Sequence, residues 1–262
     1  MFQIETYMTY LSSQNASLAD SLVFDSTHAI EHALQSYVQR KFVEMISGTN
    51  DDPSPNKHYK IKENGRPNLE YYKNNCVALF IPAAFTSLAI LKVDSFQFSV
   101  SNLYDSYVFL QEFFKNEFAY NMEQTVQCMV QKNIKAFVDD AVLTAHPTMP
   151  DTYDLTAVGL KKLKLFSGFL KTYFESYVVV IDFFKQDPLG AVQPKERLKR
   201  ILARGNRMYK RNEIERKESL SKIYYQNALD YFISKGIKGA EDKEKIEFYV
   251  NTMKQYINHL SS

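Results

Sequence analysis

Two residues near the middle of the sequence, His146 and Asp151, have the types and spacing of a catalytic pair. They lie in AHPTMPD (145–151), where the histidine precedes the aspartate by five positions. A histidine beside a carboxylate can remove a proton from a hydroxyl group while the carboxylate orients the imidazole ring. Pro147 and Pro150 lie between the two residues, and proline opposes a helix across the pair. The alternative is a connector without chemistry.

A second pattern, H-x-x-E-H, is formed by His28, Glu31 and His32. Residues four apart share one face of a helix, so both imidazoles could bind a zinc ion while the carboxylate polarises a water. A third protein ligand is required, and Glu112 or Glu117 would have to supply it. An ordinary surface helix explains the same letters, because enzymes with this motif have a large mixed α/β fold. Zinc hydrolysis therefore remains an alternative only.

A third pattern lies in ENGRP, where Glu63 and Arg66 have the letters of a phosphate-binding block. An Asn-Gly turn explains this stretch more simply. The sequence has no G-x-S-x-G, no Walker loop, no C-x-x-C and no glycine-rich phosphate loop. We therefore predict no catalytic residue, no metal ligand and no cofactor for this chain.

The most unusual chemical feature is a basic segment, residues 195–217, with ten lysines and arginines against three glutamates. Leu198, Ile201 and Leu202 add an apolar stripe, so the segment predicts a cationic amphipathic helix. Such a helix gains about 1 kcal/mol per basic residue near an anionic lipid surface. An acidic neighbouring domain or a solvated face would explain it too, whereas nucleic acid is disfavoured because stacking aromatics do not interleave with the charges. The predicted binding residues are Arg197, Lys199, Arg200, Arg204, Arg207, Lys210 and Arg211.

A second basic stretch, residues 159–174, carries Lys161, Lys162 and Lys164 beside leucines and phenylalanines at helical spacing. One interpretation is a core helix whose lysines reach outward to solvent. The other is a helix that lies in a membrane interface. These three lysines join the predicted membrane- or partner-binding residues.

The composition predicts that helices around an aromatic core position these residues. Only 8 Gly and 8 Pro occur among 262 residues, which favours long helices over a sheet with many tight turns. The 18 Tyr and 19 Phe predict a thick aromatic interior. We predict an all-α protein, a multi-helix bundle with long amphipathic helices and short connectors. The formal charge of +2 is too small to indicate a nucleic-acid partner.

Compartment signals favour the cytoplasm. The N-terminal residues lack the basic region and continuous apolar core of a secretory signal. Cys76 and Cys128 lie in apolar periodic stretches, so we expect buried thiols in a reducing compartment. The longest uncharged run, 76–91, has 16 residues and contains Pro82, whereas a spanning helix needs about 20. No transmembrane span is predicted.

The polar, breaker-rich stretch 49–67 is the best internal boundary. It suggests an N-terminal helical segment with a polar loop at 1–60 and a helical region at 61–262. The predicted helices run from Ser26-Thr27 to Gly48, from Asn68 to about Leu91, over 103–120, 122–142 and 155–185, and over 194–211, 217–234 and 241–260. A short ribbon of HYKI and NGRP is a further possibility.

Four stretches in order resemble one family. They are LEYYKNNCVALFIPAAFTSLAIL (69–91), FLQEFFKNEF (109–118), GLKKLKLFSGFLKTYFESYVVV (159–180) and MYKRNEIERKESLSKIYYQNALDYFISKGI (208–237). Together they are similar to the C-terminal region of membrane-associated glycerol-3-phosphate 1-O-acyltransferases. The resemblance covers about residues 68–258 and is looser over the first 60.

The resemblance implies a helical accessory region that follows a catalytic domain. The full enzyme transfers a fatty acyl group from acyl-CoA or acyl-carrier protein to the 1-hydroxyl of glycerol 3-phosphate, the first step of phospholipid synthesis. Family members use an H-x-x-x-x-D pair as base and orienting group, followed by an E-G-x-R block for the phosphate. Here Glu63 and Arg66 precede His146 and Asp151, which reverses that order. No family catalytic residue can therefore be carried over.

We accordingly expect a non-catalytic accessory part of such an acyltransferase. Its expected partners are the catalytic domain, in the same or a separate chain, and an anionic phospholipid surface, with no nucleic acid. Its expected location is the cytoplasmic face of the membrane, as a peripheral protein. The alternative is a stand-alone helical module that binds an anionic membrane surface or a partner protein.

Overall fold

Helices dominate the fold. The computed structural model describes residues 2–46, 58–119, 123–187 and 189–260. Helices account for 69% of the described residues and strands for 7%, so the predicted all-α class is confirmed. The helices are α1 (Phe2–Ser13), α2 (Asp20–Phe24), α3 (Ser26–Gln39), α4 (Arg66–Val93), α5 (Ser101–Phe113), α6 (Val126–Asp139), α7 (Ala157–Ser167), α8 (Leu170–Gln186), α9 (Pro194–Lys210), α10 (Lys222–Ser234) and α11 (Lys243–Leu260). Single 3-10 turns lie at Leu189–Ala191 and Lys217–Ser219.

The chain forms two compact units. The smaller unit is Tyr7–Phe80, and the larger unit comprises Met1–Thr6 and Ile81–Ser262. Helix α4 therefore begins in the smaller unit and ends in the larger one. The division at residue 60 that the sequence suggests stays a prediction.

Two small antiparallel sheets accompany the helices. In the smaller unit, β1 (Val43–Ile46) pairs with β2 (His58–Ile61), so the HYKI strand forms with a partner other than the expected NGRP. In the larger unit, β3 (Gln97–Ser99), β4 (Leu143–Ala145) and β5 (Thr152–Leu155) form a sheet of order β3-β5-β4. The expected connector between two helices is therefore a β-hairpin, and AHPTMPD contains its loop.

The core of the larger unit is built around α8. Thirteen residues of this helix are buried, and it packs against α9, α10 and α11. Phe113 and Phe114 at the end of α5 bring their rings within 5.8 Å and 4.9 Å of Phe174 on α8. Tyr177 of α8 lies 4.8 Å from Phe113, so the predicted aromatic interior is present.

Helix α3 ends nine residues before the predicted Gly48, and the helix end at Gly48 is wrong. Lys41 adopts a left-handed φ of 61°, its N–H donates to Val38, and the N–H of Phe42 donates to Tyr37. This is a Schellman ending, in which a ring contact at 6.4 Å joins Tyr37 and Phe42. Strand β1 follows, while Gly48 itself lies outside the described residues.

The predicted single helical stretch over 155–185 is divided. Leu155 belongs to β5, and Thr156 accepts the N–H of Gly159 to cap α7. A Cβ at Gly159 would lie 2.1 Å from the carbonyl oxygen of Val142, so this close approach requires glycine. At Gly168 the chain turns from α7 into α8.

The buried thiols are a wrong prediction, because Cys76 and Cys128 are both exposed. Helix α4 is buried only from Ile81 onward, and Cys76 precedes that point. In α6, the buried face runs through Met129 and later residues, which leaves Cys128 on the outer side. The apolar residues next to each cysteine in the sequence therefore led to a wrong prediction of its burial.

Helix α4 is long and apolar enough to cross a membrane by length and composition. However, 61% of its apolar window is buried inside the fold, as in the core helix of many proteins. The helix contains Pro82, and Thr86 donates to the carbonyl oxygen of Pro82 at 2.8 Å. No clear transmembrane span is present in the described residues.

Candidate membrane- and partner-docking surface

Basic residues at the start of α9 stabilise the fold itself. The guanidinium group of Arg197 donates to the carbonyl oxygens of Val192 at 3.1 Å and Leu189 at 3.0 Å. Arg200 pairs with Asp187 at 2.8 Å. These bonds attach the helix to the segment that precedes it. The two arginines therefore already have partners within the fold.

The middle of α9 is held against its neighbours more tightly. Arg204 is buried and pairs with Asp182 of α8 at 2.5 Å. At the next residue, a Cβ at Gly205 would lie 2.1 Å from the hydroxyl of Tyr225, so α9 and α10 meet closely there. Arg204 therefore has a structural role in joining α9 to α8, and its predicted binding role stays a prediction.

The remaining basic residues of α9 form an exposed face. Lys195, Lys199 and Lys210 lie within one arc of the helix, because positions four and eleven apart return to nearly the same side. Arg207 lies at the edge of this arc, and Arg211 follows the helix, 3.7 Å from Glu213. We call Lys195, Lys199, Arg207, Lys210 and Arg211 the basic face, and all five are exposed.

Polar side chains of α8 hold the loop after α9. Lys171 is buried and pairs with Glu215 at 2.6 Å. The buried carboxylate of Glu175 accepts the backbone N–H groups of Glu215 and Arg216 at 2.9 Å and 2.8 Å, and the hydroxyl of Ser219 at 2.7 Å. The basic face is thereby fixed at both ends.

The second basic stretch forms α7, and its apolar stripe faces the interior. Leu163 is buried, so the helix has its apolar side in the core. Lys162 pairs with Asp140 at 2.7 Å. Lys161 and Lys164 are exposed. Helix α7 thus presents Lys161 and Lys164 at the surface, while Leu163 packs in the interior.

Comparison with known proteins places this arrangement in a family. The family model of the glycerol-3-phosphate acyltransferase C-terminal region matches residues 1–241. The chain belongs to this family. The match includes the first 60 residues, where the resemblance is looser, and a search of curated proteins found no match to the chain.

In this acyltransferase region, His146 and Asp151 lie at the two ends of a hairpin loop. The Nδ1 atom of His146 accepts the N–H groups of Thr148 at 3.3 Å and Met149 at 3.1 Å, which closes the hairpin loop. Asp151 has a left-handed φ of 52°, and its carbonyl oxygen accepts the N–H of Val100. The ring nitrogen that would face an orienting carboxylate is therefore occupied by the loop itself.

The acyltransferase-like letters Glu63 and Arg66 form a turn at the start of α4. Arg66 Nε lies 3.1 Å from Glu63 Oε1. Gly65 lies so close to Phe42 that a Cβ would come within 2.3 Å of its carbonyl oxygen. The simpler interpretation of this stretch as a turn is confirmed.

The zinc alternative has little support. His28, Glu31 and His32 are exposed on α3, and the N–H of His28 donates to the capping carboxylate of Asp25 at 2.9 Å. In the part of the chain that the structure describes, no group of three His, Cys, Asp or Glu side chains could hold a metal ion.

Sequence reasoning missed the residues that fix the basic face. Lys171, Glu175 and Asp182 lie on α8, and their partners lie 22 to 44 positions away. A signal was present, because ionisable residues inside an otherwise apolar helix need partners when they are buried. Their partners could not be identified without the packing of α8 against the basic segment.

Proposed function

We propose that this chain is the non-catalytic C-terminal part of a glycerol-3-phosphate O-acyltransferase. In this role it holds the catalytic domain at the surface of an anionic membrane, as a peripheral protein on the cytoplasmic face. The full enzyme would transfer an acyl group from acyl-CoA or acyl-carrier protein to glycerol 3-phosphate in phospholipid synthesis. Family membership supports the acyltransferase, and the basic face supports the docking.

The basic face carries the docking proposal. Its five cationic residues are exposed, three of them lie on one arc of α9, and α9 is held by the pair of Arg204 with α8. Each basic residue near an anionic leaflet contributes about 1 kcal/mol. Lys161 and Lys164 on α7 are exposed as well and would add to the same attraction. Because Leu163 of α7 packs in the interior, we expect this attraction to be mainly electrostatic and reversible.

Vesicle binding tests this proposal. The full chain should sediment with vesicles that contain phosphatidylglycerol and not with vesicles of phosphatidylcholine alone. Replacing Lys195, Lys199 and Lys210 by glutamine removes three cations from the basic face and should weaken binding up to about a hundredfold at low salt. Raising the salt should weaken wild-type binding as well, since salt screens exposed charges.

The matched control changes three exposed lysines on other helices. Lys132→Gln and Lys135→Gln lie on α6, and Lys254→Gln lies on α11, so the net charge changes equally. This control variant should lose much less affinity than the basic-face variant. Equal losses would mean that net charge alone attracts the chain, and absence of wild-type binding at low salt would end the membrane part of the proposal.

A further inference from the structure

The smaller unit contains an aromatic surface that the basic face does not explain. Tyr71 and Tyr72 lie on α4 with their ring centroids 6.0 Å apart. The ring of Tyr72 lies 5.8 Å from that of Tyr37 on α3, which in turn lies 6.4 Å from Phe42. Arg40 donates from Nη1 to the hydroxyl of Tyr72 at 2.8 Å. We call these five residues the tyrosine patch.

Two tyrosines of the tyrosine patch are exposed, although ring contacts and a hydrogen bond hold them in place. Tyr71 is 66% exposed and Tyr72 is 38% exposed. Helix α4 has ten buried residues from Ile81 onward and none in its first fifteen positions. Neither α2 nor α3 buries a residue. The smaller unit therefore presents aromatic area that its own elements leave uncovered.

The composition of the patch fits a protein partner. Tyrosine and arginine are enriched among the residues that carry most of the affinity at protein interfaces. A tyrosine has only two side-chain torsions, and the ring contacts and the bond from Arg40 already restrict them, so binding costs little conformational entropy. Anionic membrane surfaces instead attract clusters of basic residues, and the patch contains one arginine only.

We propose that the tyrosine patch is the surface of this chain that binds the acyltransferase catalytic domain. The inference rests on the proposed function, which supplies the partner. The family match at residues 1–241 includes the whole patch, and the family is defined as one region of a larger enzyme. The catalytic domain is thus the protein surface that this region meets at the highest effective concentration.

Calorimetric titration of the full chain with the separately purified catalytic domain of an intact family enzyme tests the inference. Tyr71→Ala should raise the Kd at least about tenfold, since the most exposed tyrosine of the patch is lost. Arg40→Gln should raise the Kd by a smaller factor, because Arg40 also positions Tyr72. If Tyr71→Ala lowers the melting temperature, Tyr71→Gln serves as a second variant. Glutamine is also a good helix former, and this variant should raise the Kd by a similar factor.

The matched control is Phe96→Ala in the larger unit. Phe96 is 68% exposed, close to the 66% of Tyr71, so both changes remove a similar exposed ring. Phe96→Ala should leave the Kd unchanged. If the wild-type chain binds the catalytic domain and both Tyr71 variants bind equally tightly, the inference is wrong while the proposed function stands.

Two further outcomes separate the two proposals. If the wild-type chain does not bind the catalytic domain, the partner in the proposed function is wrong and the inference fails with it. If Tyr71→Ala leaves that binding intact but weakens sedimentation with phosphatidylglycerol vesicles, the patch contacts lipid, which also overturns the inference.

Discussion

The carboxyl group of Glu117 has an environment that changes its ionisation. Burial raises its pKa from the usual 4.5 to about 7, and the hydrogen bond from Asn227 at 3.0 Å offsets only part of this effect. Five positions earlier, at the end of α5, hydrogen bonds from Lys235 and Lys115 lower the pKa of Glu112. The pKa values of these two glutamates, five positions apart, are therefore shifted in opposite directions.

Glu117→Gln should change how stability depends on pH. In the wild-type chain, the unfolded state releases this proton above pH 4.5 while the folded state keeps it until about pH 7. Stability therefore falls as pH rises through this window, by up to about 3 kcal/mol. The free energy of unfolding from urea titration at pH 5 and pH 8 should show a smaller fall in the variant, and an unchanged fall would contradict the raised pKa.

Single residues also mark where sequence reasoning stopped. The sequence predicted a basic amphipathic helix correctly, since charge and spacing are local properties. It could not separate Arg204, which is buried against Asp182, from Lys199, which is exposed. That difference depends on how α8 packs against α9, because Asp182, the partner of Arg204, lies on α8, 22 positions earlier in the chain.

At the scale of elements, several helices end in the left-handed conformation without glycine. Asn15, Lys41, Ala141 and Asn212 have φ between 53° and 61°, and Gly236 alone among these endings is a glycine. Glycine is the usual signal for this ending, and its absence at Lys41 accompanies the misplaced end of α3, whereas the predicted end at 211 lies one residue from Lys210. The helices themselves were predictable, because their apolar spacing is strong.

Ala141→Gly should stabilise the end of α6. Ala141 is exposed with a φ of 53°, and its N–H and that of Val142 already make the bonds of a Schellman ending. Glycine removes the steric cost of a Cβ there, which is about 1 kcal/mol. Thermal unfolding should show a higher melting temperature. The control Ala203→Gly, on the exposed side of α9, should lower it by a comparable free energy.

At the scale of the whole molecule, the chain should not turn over substrate alone. The catalytic-pair letters form a hairpin loop, and the second block forms a turn. Purified chain mixed with acyl-CoA and radiolabelled glycerol 3-phosphate should yield no acylated product above the background without protein. Product that disappears in His146→Ala would overturn the non-catalytic assignment.

The hairpin also explains why the sequence alone could not decide between a catalytic pair and a connector at His146 and Asp151. His146 and Asp151 match a pair spacing, and their proline neighbours indicated only that no helix joins them. The strands β4 and β5 are three and four residues long, too short for alternation to identify them. Pairing of β5 with the distant β3 completes the sheet.

The hydrogen bonds and the ion pair by which Glu175 and Lys171 hold the loop after α9 have a mechanical consequence. Because α8 pairs with the middle of α9 and with the loop that follows it, we expect α9 to keep its orientation within the larger unit when its lysines meet a flat charged surface. The larger unit would therefore settle at one fixed tilt. The natural sequence has no tryptophan, so Phe248→Trp on α11, at an exposed position, gives a single fluorophore whose quenching depth reports that tilt.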